Sequence, residues 1–270
     1  MKKFLFLLNI LLCTLFAASS CSNTADTTDI IDTIDISDTN YPTTISRLPE
    51  ETILQMRNDF AQRNPTMIST INQFGFCWPS EEMINASVSS GSFAEEEAIE
   101  AIKEFIGHNP ETGITDPENL HFKRISRGDD SNNATTWVIT TEDQLINEIE
   151  VYKSNIAFNI LNRSLRFCNG HYFPNVYMPE KINFDIERAK SQLLGKEVIH
   201  LGFAGQYSLG KITKKHLQEC ETNLIVVPLR TEEKIELRVA WKINLLTMYY
   251  VYYVDVMTGE IVHEESTVIS

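Results

Sequence analysis

Hydrophobic positions recur with two periods in this chain, first helical and then strand-like, and from Ser92 onward that order runs twice. Ala94, Ala98, Ile99, Ala101, Ile102, Phe105 and Ile106 place one apolar stripe on a helix over Phe93–Ile106, which Gly107 ends. Ser92, with Glu95 three residues on, reads as its capping box. Strand-like runs follow at Leu120–Ile125, Thr135–Thr140, Ile149–Leu161 and Ser164–Phe173, after which Pro174 and Pro179 punctuate. The second round opens with a helix over Phe184–Leu194, carrying Ile186, Ala189, Leu193 and Leu194 and closed by Gly195. Strands are then expected at Gly210–Thr213, Asn223–Leu229, Ile235–Leu246 and Tyr249–Val256, with Ile261–Glu264 as a short edge. In Leu237–Leu245 every odd position is apolar, while Arg238, Lys242 and Asn244 point the other way, the alternation of a half-buried sheet.

The pattern predicts an α+β fold of two similar units, each a helix laid across an antiparallel sheet: residues 93–181 and 182–270. A helical segment, 46–92, precedes them. Its helix opens at Pro49-Glu50-Glu51 and stops at Arg63, ahead of Pro65, with Ile53, Leu54, Met56 and Phe60 as its apolar positions. Phe74, Phe76, Cys77 and Trp78 are bunched and are expected to be buried.

The N-terminus follows a different rule. Lys2 and Lys3 precede a short apolar run, Phe4–Phe16, and then small residues lead to Cys21. That order is a secretory signal over 1–20; a thirteen-residue apolar run falls short of spanning about 30 Å of hydrocarbon. Ala18-Ser19-Ser20-Cys21 resembles a bacterial lipobox, which implies cleavage before Cys21, lipidation at Cys21 and a place in the bacterial cell envelope, at the outer membrane or cell surface. Residues 21–45, with an Asp at every third position from Asp26 to Asp38, read as an acidic, self-repelling tether.

Charge and cysteine count narrow the chemistry. Removing Lys2 and Lys3 from 23 basic residues set against 37 acidic ones takes the net charge from −14 to −16. With no basic cluster, nucleic acid is an improbable partner. Beyond the leader, Cys77, Cys168 and Cys220 allow one disulfide and a free thiol, or three buried thiols, with packing favoured for at least one. No spacing fits a metal or cofactor site, and neither is expected. His263-Glu264-Glu265-Ser266-Thr267 lacks the second histidine of a zinc helix, and His263 reads as an exposed residue near the end.

Trp241-Lys242-Ile243 followed by Tyr252-Tyr253-Val254-Asp255-Val256-Met257-Thr258-Gly259-Glu260-Ile261 forms a strand, a tight turn and a return strand. With Trp241, Tyr253, Asp255, Thr258 and Gly259 it resembles the PepSY module. Tyr152, Gly170 and Tyr172 resemble the corresponding positions of the fungalysin/thermolysin propeptide module, although Glu150 and Lys153 depart from its usual proline and glycine. The resemblance covers roughly residues 93–265. It implies a propeptide-like, cystatin-like fold and a non-enzymatic, lipid-anchored protein that inhibits or chaperones a secreted peptidase or another exported protein. Two rivals belong to other classes. In one, Gly75-Phe76-Cys77-Trp78 resembles a papain-like nucleophile segment, with His216 139 residues on (216 − 77) as its base. In the other, the protein is an envelope module that binds a glycan or small ligand through the tyrosines of Tyr249–Tyr253.

Overall fold

Three β-branched-rich strands, β12 (Glu221–Arg230), β13 (Lys234–Leu245) and β14 (Tyr250–Asp255), build the centre of the second half. The computed structural model describes residues 40–80, 93–129, 135–202 and 205–267. Cys21, the leader and almost all of the tether lie outside these residues, as does Ser92.

The fold is α+β, with antiparallel sheets and few helices. The N-terminal part contributes β1 (Thr43–Ser46), α1 (Glu50–Arg63), and the short pair β2 (Ser69–Ile71) and β3 (Cys77–Pro79). Next come α2 (Glu95–His108) and β4 (Phe122–Asp129), β5 (Thr135–Thr141), β6 (Leu145–Ile146), β7 (Ile149–Val151), β8 (Ala157–Leu161) and β9 (Ser164–Asn169). The remainder holds α3 (Ile186–Leu193), β10 (Glu197–Gly202), β11 (Gly205–Lys211), α4 (Lys214–Gln218), β12, β13, β14 and β15 (Ile261–Ser266).

Strands β4-β5-β8-β9 form one antiparallel sheet. Ala98, Ile102, Phe105 and Ile106 of α2 pack onto its Trp137, Ile139, Phe158, Ile160 and Cys168. Phe60 of α1 joins the same core and meets Phe105 edge-on, so the N-terminal helix is part of this layer. The α2 stripe is as expected, but its cap is not. The helix begins at Glu95 and Ala94 N–H donates to Glu97 Oε2 at 2.8 Å, because Glu97, not Glu95, stands three residues inside the first helical turn.

The second sheet runs β15-β14-β13-β12-β7-β6, with β1 also paired to β13. β12 covers one edge of β13 from Ile235 to Asn244. The other edge is shared end to end: β14 takes Ala240–Leu245 and β1 takes Lys234–Leu237. β7 lies parallel to β12, with Glu150 opposite Ile225 and Val151 opposite Val226. The run Ile149–Leu161 is thus two strands in two sheets, divided by a turn at Lys153 (φ 52°). Pairing therefore carries β1 and β6–β7 across the domain limits drawn from sequence at 45/46 and 181/182.

Further differences follow from local chemistry. Strand β9 stops at Asn169 because Gly170 turns the chain. Instead of one strand at Gly210–Thr213 there is a hairpin, β10–β11, and then a short helix, α4, capped by Thr213. Trp78 is 45% exposed, since alternation in β3 turns it away from the buried Cys77. On α3, Asp185 Oδ1 accepts from Arg188 N–H at 2.8 Å. Asp185→Ala is expected to cost about 1 kcal/mol, read as a lower urea midpoint at constant slope.

Candidate functional site

The Val-Asp-x-x-Thr-Gly-Glu segment is a turn locked by its own aspartate. Asp255 is fully buried, and its Oδ1 accepts from Met257 N–H at 2.7 Å and Thr258 N–H at 2.9 Å. Its Oδ2 takes a hydrogen bond from Arg238 Nη1 at 3.1 Å across the sheet. Thr258 Oγ1 accepts from Glu260 N–H, and Gly259 adopts φ 77°. A Cβ on Gly259 would stand 2.7 Å from the Phe184 ring, so side-chain absence and backbone hand are both required there. Trp241, also buried, donates from Nε1 to Phe184 O at 2.9 Å. These motif residues fasten the segment before α3 to the sheet, and their polar groups are consumed in doing so.

Gly170 and Tyr172 act in the same way around the other sheet. Gly170 has φ 110°, and a Cβ there would lie 2.3 Å from Asn155 O. Tyr172 N–H donates to Thr112 O, and its hydroxyl donates to Glu142 O, both at 2.8 Å. Between them, His171 is buried, its ring stacked on Phe76 at 3.9 Å and 2° tilt. Arg230 Nη2 approaches His171 Nε2 at 3.3 Å. Burial pushes the imidazole down to about 3, with the Arg230 charge acting in the same direction.

Tyr152 and Tyr253 belong to a more chemically loaded group. Strand register sets Tyr253 on β14 opposite His263 on β15, and Glu265 lies two residues further on the same face. Tyr152, just after β7, lays its ring 5.1 Å from Tyr253 and 5.3 Å from His263. Glu265 accepts from both phenols at 2.6 Å: Tyr152 at Oε2 and Tyr253 at Oε1. Lys153 Nζ donates to Oε2 at 3.1 Å, and Tyr152 Oη lies 3.2 Å from His263 Nε2. Burial, reinforced by the Glu265 charge, raises both tyrosine hydroxyls. Burial would also raise Glu265, but the hydrogen bonds from Tyr152, Tyr253 and Lys153 outweigh it and hold the carboxyl below its ordinary value. Burial lowers His263. His263 is thus half-buried between two tyrosines, correcting the expectation of an exposed terminal residue. Sequence reasoning found Tyr152 and Tyr253 and missed His263 and Glu265. Their shared parity in a strand antiparallel to Tyr253 was the available signal.

The structure does not bring Cys77 and His216 together. Cys77 has no exposure and packs in the α2 core with Cys168, whereas His216 Nδ1 accepts from Thr213 N–H at 3.2 Å to cap α4. Tyr250 and Tyr252 share a face, their rings 5.1 Å apart and largely buried, so they do not line an open tyrosine cleft. Among the described residues, no three His, Cys, Asp or Glu side chains gather as a metal site.

The exposed aromatic groups lie elsewhere. Tyr207 on β11 is 47% exposed and sits 4.9 Å from the ring of His200; His200 Nδ1 lies 2.7 Å from Ser266 Oγ. Ser266 in turn approaches Tyr249 O, and Tyr249 is 60% exposed with Leu246 exposed beside it. Tyr249 and Tyr207 therefore flank one hydrogen-bonded corner.

No protein-family model matches the chain, and no curated protein matches it. Among solved structures, it is similar to the Bacillus megaterium YpeB C-terminal domain at 11% identity and a TM-score of 0.31. The alignment covers 82% of this chain and 98% of that one. A likeness of that strength fixes neither fold nor function.

Proposed function

We propose that the protein is a lipid-anchored exported binding protein with propeptide-like units, which engages and restrains a secreted peptidase or another exported protein. The supporting observation is the corner of Tyr207, Leu246 and Tyr249: large, exposed and apolar, yet held by the ordered His200–Ser266 contact. Tyrosine is one of the residue types enriched as anchors in protein interfaces, because a rigid two-torsion side chain costs little entropy to immobilise. The Asp255–Gly259 turn supports the same reading by fixing the return strand β15, whose Ser266 braces that corner.

Titrating the full-length protein into an assay of a purified thermolysin-like metallopeptidase tests the reading. Saturable inhibition is expected, weakened about tenfold or more in a Tyr207→Ser/Tyr249→Ser variant. Full peptidase activity at large molar excess would remove the peptidase as target. Inhibition untouched by the double variant would move the contact surface elsewhere.

A further inference from the structure

We infer that Tyr152, Tyr253, His263 and Glu265 form a binding site for a single ferric ion. The inference does not depend on the peptidase reading, since it concerns another surface and a different ligand class.

Its first support is geometry. Oxygen and nitrogen ligands stand about 2.0–2.2 Å from a transition-metal ion, so neighbouring donors around an octahedral centre lie about 3 Å apart. Here Tyr152 Oη is 2.6 Å from Glu265 Oε2 and 3.2 Å from His263 Nε2, and Tyr253 Oη is 2.6 Å from Glu265 Oε1. Four side chains from three separated segments are thus linked in one chain of contacts at the spacing of neighbouring metal ligands. Glu265 offers one oxygen toward each phenol, the disposition of a bidentate carboxylate. With two phenols and one imidazole this makes five donor atoms and leaves a position for water or a small anion.

The second support is charge. Two phenolates and one carboxylate supply three negative charges, which neutralise a trivalent ion once Lys153 has moved away; with Lys153 still in place the same donors balance a divalent ion, so the phenolate charge-transfer band decides between them. Phenolate and carboxylate oxygens are hard donors suited to Fe³⁺, and imidazole is a common iron ligand. Lys153 Nζ, 3.1 Å from Glu265 Oε2, supplies positive charge to this cluster. Its side chain is 67% exposed on a flexible stem, so it can swing into solvent when the ion enters. Binding is a ligand exchange without redox change: the Fe–O bonds of the ferric citrate complex break and citrate leaves to solvent, reprotonating the hydroxyl it had used as a ligand; the two phenols lose their protons to water and citrate, and new Fe–O and Fe–N bonds replace the Tyr–Glu hydrogen bonds.

The probe is ferric citrate added to the purified full-length protein. A visible phenolate-to-iron charge-transfer band is expected, saturating at one ion per chain. Tyr152→Phe/Tyr253→Phe removes the band, His263→Ala weakens binding on the order of 100-fold, and Lys153→Ala strengthens it. No band, or a band that persists in the double phenylalanine variant, overturns the site. Should that variant fail to fold, the single variants Tyr152→Phe and Tyr253→Phe decide: each is expected to weaken or shift the band, and a band unchanged in both overturns the site.

Discussion

Asp255→Ala lowers stability by about 3 kcal/mol or more, a fall of roughly 6–12 °C in Tm for a chain of this size. The side chain removed is fully buried, and three hydrogen bonds end on it: two turn amides and the Arg238 guanidinium. Its loss leaves the part-buried Met257 N–H and Thr258 N–H without their acceptor. It also leaves Arg238 without its buried partner. Arg238 retains 24% side-chain exposure and a contact to Glu236, which keeps the cost toward the lower end of that for breaking a fully buried pair. Asp255→Asn separates the two losses, because an amide oxygen still accepts from both turn amides while the ion pair is gone. About half of the effect is expected there. Urea unfolding of the three proteins checks this, and a change below about 1 kcal/mol for Asp255→Ala would show that the turn is not what fastens β14 to β15.

Acid weakens the fold well above the range in which carboxylates protonate, and His171 is the reason. The unfolded chain binds a proton at this imidazole near 6.5, whereas the folded one holds it neutral down to about 3. Between those values the unfolded state carries the extra proton, so stability falls as pH falls, by up to about 1.4 kcal/mol per unit. From pH 6.5 to 4.5 the loss reaches about 2–3 kcal/mol. His171→Gln keeps an acceptor for Arg230 and cannot titrate. Its stability should fall less over the same window, short by about the 2–3 kcal/mol that His171 accounts for, with the remaining slope set by other groups such as His263, whose imidazole burial also lowers. Parallel pH profiles for the two proteins would show that protonation of His171 is not resisted by its stack on Phe76.

The core was legible in the sequence where periodicity is long. The α1 stripe apart from Leu54, which is 59% exposed, the α2 stripe, the alternation of Leu237–Leu245 and the turn at Thr258-Gly259 all lie close to where the pattern placed them. Short segments were not legible. Asn147-Glu148 and Asn162-Arg163 are two-residue turns with positive φ (49° and 66°, 48° and 67°), but neither contains glycine, so the β6–β7 hairpin carried no conventional marker. Sheet membership was not legible either. Nothing local in Ile149-Glu150-Val151 says that its hydrogen bonds go to Ile225 and Val226 instead of the nearer meander. The same gap hid the tyrosine cluster, because Tyr152 meets His263 and Glu265 only after β7 has crossed to the other sheet. The motif residues, by contrast, were visible in sequence, and their task in the structure is to hold turns.

Strand β1 has a temporal consequence. Thr43 pairs with Leu237, so one of the first residues in the described structure cannot find its place until nearly two hundred more have arrived. During synthesis from the N-terminus β1 therefore emerges before its partner strand exists, and the large sheet closes only once β13 is present. Contacts of such long range are slow to form.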